Sequence, residues 1–209
     1  MLVKTLISGG LILTLALTAP LSAARPATVL ILPGLACPAE TTTAITASLL
    51  KDQEAQVLDW TRETLTPQEE GAEAPDPLQI VLKTLDSLPA PTITLIGHSM
   101  GGWLALQAAI NRPERVARLI ILDAGPFPAG LYQDLTPEQA LMAARQMGTL
   151  IGNMTQEQYQ AFNTQRMQMM ISDTAWRDKL LSALTPLPRK GIARLIAQMT
   201  ASDLRPDLA

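Results

Sequence analysis

The 209-residue sequence predicts an α/β fold in which helices flank a parallel β-sheet. Three observations carry this. From Ala27 onward, short aliphatic runs alternate with longer helical stretches, the pattern of βαβ units. The runs are nearly continuous in apolar character, as expected of strands covered on both faces. After Gly125-Pro126-Phe127-Pro128 the strand pattern stops and only helical periodicity follows. With 47% hydrophobic and 17% charged residues, the chain has ample material for a packed core.

Met1 to Ala24 has the layout of a secretory signal peptide. Lys4 supplies the positive start, Leu6 to Leu17 the apolar stretch, and Ser22-Ala23-Ala24 a small-residue cleavage site before Arg25. The apolar stretch is about half of the roughly 20 residues a spanning helix needs, so cleavage without a lasting membrane anchor is expected. Without Lys4 the mature chain would hold 15 basic and 19 acidic residues, and its expected destination is the periplasm or the extracellular space. Residues 25–128 then read as the sheet-bearing core. Its strands are Thr28–Leu32, ending at Pro33-Gly34, then Ala55–Trp60 after a Thr/Ala-rich helix, Thr92–Ile96 after the helix Leu78–Leu88, and Arg118–Leu122, ending at Asp123. Thr66 to Pro77, acidic and proline-containing, reads as a solvated loop.

Residues 129–201 read as four helices: Pro137–Met147, Gln156–Met170, Thr174–Leu184 and Gly191–Thr200. Thr136-Pro137-Glu138 opens the first with a capping threonine and proline at the first helical position. Six of the nine methionines fall between Met142 and Met170. That cluster suits either a pliable apolar pocket or a helical unit packed on itself.

Several function classes are excluded by counts. One histidine, His98, and one cysteine, Cys37, leave no His cluster and no Cys-rich zinc site. No metal or cofactor is expected. A net charge of −3 gives no broad basic surface for nucleic acid. The expected partner is a small-molecule substrate, and nothing in the sequence sets an oligomeric state. Gly34-Leu35-Ala36-Cys37 sits too far beyond the apolar stretch, behind Arg25, Pro26 and Pro33, to be a lipoprotein box. Cys37 reads as a small loop or helix-entry residue.

The strongest chemical signal is Gly97-His98-Ser99-Met100-Gly101, followed by Gly102. It follows an apolar strand and opens the amphipathic helix Trp103–Asn111, the strand-turn-helix setting of a nucleophile elbow. The tight turn would strain the backbone at Ser99 and project its hydroxyl above a helix N-terminus. Acyl transfer also needs two N–H donors aimed at the developing oxyanion. Met100 would supply one. The loop after the first strand, Pro33-Gly34-Leu35-Ala36, would supply the other, with Leu35 N–H best placed. His98 neighbours Ser99 on one strand end, so its side chain should leave on the opposite side of the backbone and not serve as the base.

The segments Leu30 to Leu35, Ile96 to Gly102 and Leu119 to Asp123 together resemble the α/β-hydrolase superfamily. The later helices resemble that family's cap, and Met199 to Leu208 its return from cap to sheet. The resemblance runs from Ala27 to Ala209 and implies a serine hydrolase with nucleophile, acid and histidine in that order. It also implies strands ordered second, first, third, fourth, with Arg118–Leu122 at an exposed apolar edge, a feature that invites aggregation. The sequence departs from the family in having no histidine after His98. Asp123 stands where some members carry the acid, although an aspartate ending a strand often caps a loop; Asp203 and Asp207 read as shaping the chain's return, and Asp134 as solvated. Residues 202–209 read as the start of that return, and the chain is expected to be a C-terminally truncated hydrolase, catalytically incomplete as given. The alternative is a short form that binds a ligand or partner without catalysis.

Overall fold

The computed structural model describes residues 28–42, 54–66, 74–131 and 134–208, together with the backbone of 3–7 and 10–14. Strands β1 (Val3–Ile7) and β2 (Gly10–Thr14) pair antiparallel in a ribbon of their own. The apolar part of the expected signal peptide overlaps this ribbon. Its cleavage site, and the Thr/Ala-rich helix expected before the second core strand, lie outside the described residues.

The core is a four-stranded parallel sheet of β3 (Val29–Leu32), β4 (Ala55–Val57), β5 (Ile93–His98) and β6 (Val116–Leu122), ordered β4-β3-β5-β6. This is the expected order. Leu30 pairs with Leu95 and Leu95 with Leu119, so side chains alternate in step across the sheet. Leu30, Leu32, Ile93 and Leu95 face the larger core cluster, while Val29, Ile31 and Ile96 form a smaller one on the other face. β6 is an edge strand: Ile120 and Leu122 keep 38% and 37% of their surface exposed.

The second expected strand ends early. Asp59 caps a short helix, α1 (Trp60–Leu65), by accepting the Arg62 N–H at 3.2 Å. Trp60 is therefore helical, and its buried indole donates to the Pro33 carbonyl at 2.8 Å. A cap and a long-range indole bond thus override the β propensity of Val57 to Trp60.

Helix α2 (Pro77–Ser87) starts on an Asp76 cap, and α3 (Met100–Asn111) begins three residues before its expected start. The end of α2 is held by Arg115, whose guanidinium donates to the carbonyls of Leu85, Leu88, Ala90 and Pro91 at 2.6–2.9 Å. One cation thereby satisfies carbonyls that the helix end leaves unpaired. Gly101, in the first turn of α3, lies against the end of β3: a Cβ there would overlap the Leu32 and Pro33 carbonyl oxygens.

Beyond β6 come α4 (Pro137–Asn153), α5 (Gln156–Met170), α6 (Thr174–Leu184) and α7 (Arg189–Ala201). Thr136 with Gln139 and Thr155 with Gln158 form reciprocal capping boxes. α4 runs two turns past Met147 because Gly148 lies in its contact with α7, where a Cβ would stand 3.3 Å from that of Ala197. Ala140, Ala144 and Ile151 complete this buried stripe. Tyr159, Leu184, Ile192 and Leu195 belong to the same apolar cluster as the sheet, so helices and sheet share one core. Of the methionines between Met142 and Met170, few contribute to it. Met142, Met147, Met169 and Met170 are exposed, and Met154 packs against the cluster.

The C-terminal segment returns to the sheet's end. Leu204 N–H donates to the Pro126 carbonyl at 2.8 Å, and the Arg205 guanidinium lies 4.2 Å from the Phe127 ring centre. Asp203 accepts from the Arg205 backbone and guanidinium, and that cation holds its carboxyl below the usual carboxylate range.

Replacing Arg115 with methionine leaves its carbonyl partners without a donor and should lower unfolding free energy in urea by about 2 kcal/mol; a change under about 0.5 would contradict the role. Gly101→Ala forces a methyl group against main-chain oxygens that cannot turn aside. It should cost about 3 kcal/mol or more, seen as a lower urea midpoint or loss of the far-UV helical signal. Stability equal to the parent's would show that the contact yields.

Candidate active site

Among the described non-glycine residues, three have positive φ: Ala36 at 58°, Ser99 at 52° and Asp123 at 51°. Each lies just past the C-terminal end of a strand, β3, β5 and β6 respectively, and these are neighbours in the sheet. Open parallel sheets present their ligand crevices along this edge. Left-handed backbone at a non-glycine residue costs roughly 1–2 kcal/mol, and it persists only where surrounding contacts impose it.

At Ser99 those contacts can be named. Its N–H donates to the Leu122 carbonyl at 2.9 Å, which ties the junction to β6. Its own carbonyl accepts from Gly102 and Trp103 at 2.8 and 3.1 Å and starts α3. Gly97, Gly101 and Gly102 close the junction; a Cβ on Gly97 would stand 2.6 Å from the Gly102 Cα, and one on Gly102 2.7 Å from the Ala124 Cβ. Ser99 makes no side-chain capping bond although it is the N-cap residue, and it is half-buried. Its hydroxyl stays available at the positive end of a twelve-residue helix.

The second component is the turn Gly34–Cys37. The Cys37 N–H donates to the Gly34 carbonyl at 3.0 Å, and with Ala36 alone of the two central residues at positive φ the turn is type II. Its surroundings come from α1: Trp60 holds the Pro33 carbonyl, and the Thr61 hydroxyl oxygen accepts the Ala36 N–H at 3.2 Å. One such bond contributes about 1 kcal/mol, comparable to the strain at Ala36. Among the described residues the Leu35 and Met100 N–H groups have no partner. The two donors expected for an oxyanion are therefore both unpaired.

Gly34 joins these parts. A Cβ on it would lie 3.3 Å from the Ser99 Cβ, 3.1 Å from His98 Nδ1 and 3.2 Å from Cys37 Sγ. His98 thus borders the same glycine as Ser99, although it makes no side-chain hydrogen bond to a described residue. Burial pushes the Cys37 thiol up, against a smaller opposing effect of its hydrogen bond with Gly34. Asp123 is exposed and its carboxylate has no partner among the described residues. It follows Leu122, whose carbonyl holds Ser99, so it sits one residue from the elbow's anchor on β6. Asp203 pairs with Arg205, while Asp134 and Asp207 are exposed.

A cleft of about 560 Å³ opens beside the turn, lined by Ala36, Cys37, Thr61, Leu65, Leu187 and Pro188 among others. It lies between the turn, α1 and the link from α6 to α7, and Ser99 is not part of its wall. The sequence reading missed α1 and with it Trp60 and Thr61. The available signal was Asp59 followed by Glu63, a capping residue ahead of an acidic first turn. Among the described residues no three of His, Cys, Asp and Glu come together in a metal-binding group.

Residues 68–190 match the family described as alpha/beta hydrolase fold. A putative non-heme haloperoxidase of Mycobacterium phage D29 is 31% identical over 100 residues, covering 44% of this chain and 34% of that protein. A (lyso)-N-acylphosphatidylethanolamine lipase of Mus musculus is 41% identical over 68 residues, covering 32% and 19%. These alignments span about a third or less of the curated relatives. The structure of MenH from S. aureus superposes with a TM-score of 0.65 at 15% identity, over 87% of this chain and 70% of that one, a likeness of fold. The chain belongs to the α/β-hydrolase fold family.

Proposed function

We propose that this protein is an exported serine hydrolase acting on an ester, thioester or amide of a small, fairly apolar acid. The observation that carries the reading is the left-handed Ser99 between β5 and α3, with the unpaired Leu35 and Met100 N–H groups beside it. In the proposed reaction the Ser99 oxygen attacks the substrate carbonyl and its proton passes to a base. The carbonyl oxygen becomes an oxyanion held by the Leu35 and Met100 N–H groups. Collapse expels the alcohol, thiol or amine with that proton, and water then cleaves the acyl-serine by the same route.

The four helices after β6 act as the cap in this reading. His98 is the only histidine, and it makes no hydrogen bond to Ser99. The base is a histidine outside the 209 residues, with Asp123 the candidate to orient it. The sequence as given is then catalytically incomplete. The lone histidine also motivates a second reading, a short form that binds a ligand without turnover. The relative named as a (lyso)-N-acylphosphatidylethanolamine lipase is in keeping with hydrolase chemistry.

The full gene product should hydrolyse p-nitrophenyl butyrate, and Ser99→Ala should lower kcat/KM by roughly 10³-fold or more, while the 209-residue chain alone shows no appreciable turnover. A full product that is active and indifferent to Ser99→Ala sinks the hydrolase reading; one that binds without turnover supports the second. For export, the mature protein recovered from the periplasm or medium should begin at Arg25. A protein retained in the cytoplasm with Met1 intact would refute that part.

A further inference from the structure

We infer that the inward face of α5 is a binding site for a small carboxylate, held by Arg166, Tyr159 and Asn163 whether or not Ser99 is a nucleophile. A helix normally packs through an apolar stripe and turns its polar side chains to water. In α5 the pattern is reversed. Met169 and Met170 are exposed, while Tyr159 and Asn163, four residues apart on one face, are only 2% and 4% exposed. Arg166 continues that face three residues on and is half-buried.

Each of the three carries a fully buried polar atom with no hydrogen-bond partner: the Tyr159 hydroxyl oxygen, Asn163 Oδ1 and Arg166 Nε. Buried polar groups in folded proteins are nearly always paired. Three orphans along one face of a single helix therefore mark a place for another molecule. Arg166 is the sharpest case, since a guanidinium keeps its charge and needs a counter-ion once desolvated. Among the described residues no carboxylate pairs with it, and its guanidinium lies 5.8 Å from the Phe162 ring centre. Burial pulls its pKa down, and among those residues Tyr159 is the one group acting against that.

These groups define the ligand. One cation on this face calls for one negative charge, and the Arg166 Nε–H and the Tyr159 hydroxyl are donors without acceptors. A half-turn of the Asn163 amide exchanges its oxygen for its NH2 and adds a third donor. A carboxylate has two oxygens and about four lone-pair sites, enough for all three. Tyr159 and Asn163 also line a cavity of about 250 Å³ between α5 and α6, with Gln160, Thr164, Leu181 and Leu184. The cavity leaves room for a short carbon chain, and the burial of Tyr159 and Asn163 keeps out the surface of a folded partner.

The test uses the full gene product and sodium butyrate, with butylammonium chloride as the control. In proton–nitrogen NMR spectra the Arg166 Nε–H and Asn163 side-chain amide signals should shift and saturate with a Kd on the order of 1 mM. The control should move neither. Tyr159→Phe should weaken binding about fivefold, and Arg166→Met should abolish it. Without butyrate, Arg166→Met should leave the urea midpoint unchanged or raise it, because it removes a buried charge that has no partner. Butyrate should raise the midpoint of the parent and not of that variant. Butyrate that competes with p-nitrophenyl butyrate in the parent but not in Arg166→Met assigns the carboxylate to a reactant of Ser99; binding without competition assigns it to a separate small acid. No saturable shift at butyrate about 100-fold above the expected Kd overturns the inference, as does an equal shift with the control. So does an Arg166→Met variant that is less stable or unfolded without ligand, since it would reveal a partner inside the protein.

Discussion

The contact on which this fold depends is the one between the first turn of α3 and the end of β3. Gly101 lets the helix backbone rest on the Leu32 and Pro33 carbonyls, and no other residue type fits that gap. Next to this contact stand the left-handed Ser99 at the start of α3 and Gly34, whose turn comes close to that serine. Packing thus does what sequence propensity alone would not: it imposes a strained conformation at the residue whose hydroxyl is free.

The turn itself is held from the other side by α1. Trp60 and Thr61 bond to main-chain groups of Pro33 and Ala36, so side chains some 25 residues away in sequence anchor the chain on either side of Leu35. The stakes are small in energy, since one hydrogen bond and one unfavourable φ nearly balance.

Much of this was legible in the residues. The strands around Ile31, Leu95 and Leu119 announce themselves by aliphatic runs ending in Pro-Gly, Gly-His-Ser and Asp. The elbow is visible because glycines at 97, 101 and 102 bracket a serine between strand and helix. Trp60 continues the apolar run from Ala55 and so reads as strand, whereas it lies in a helix with its buried indole N–H bonded to Pro33. The expected helix ends at Met147, ahead of Gly148, whereas that glycine permits close packing on α7 and the helix runs on. Four of the clustered methionines, Met142, Met147, Met169 and Met170, lie on the surface, since periodicity does not say which face a partner covers. The positive φ of Ala36 has no sequence signal, whereas that of Asp123 falls on a residue type that visits this region more readily than most.

Those two residues and Ser99 lie on one edge of the sheet, at the ends of three adjacent strands. The opposite edge has no such non-glycine residue among those described. Conformational strain is therefore unevenly distributed across a sheet that is otherwise regular. Under heat or urea the strained edge should open in a partial transition while the β3–β5 pairing still holds. The protein would then lose the arrangement around Ser99 before it loses its secondary structure, so that its working temperature range is narrower than the range over which it stays folded.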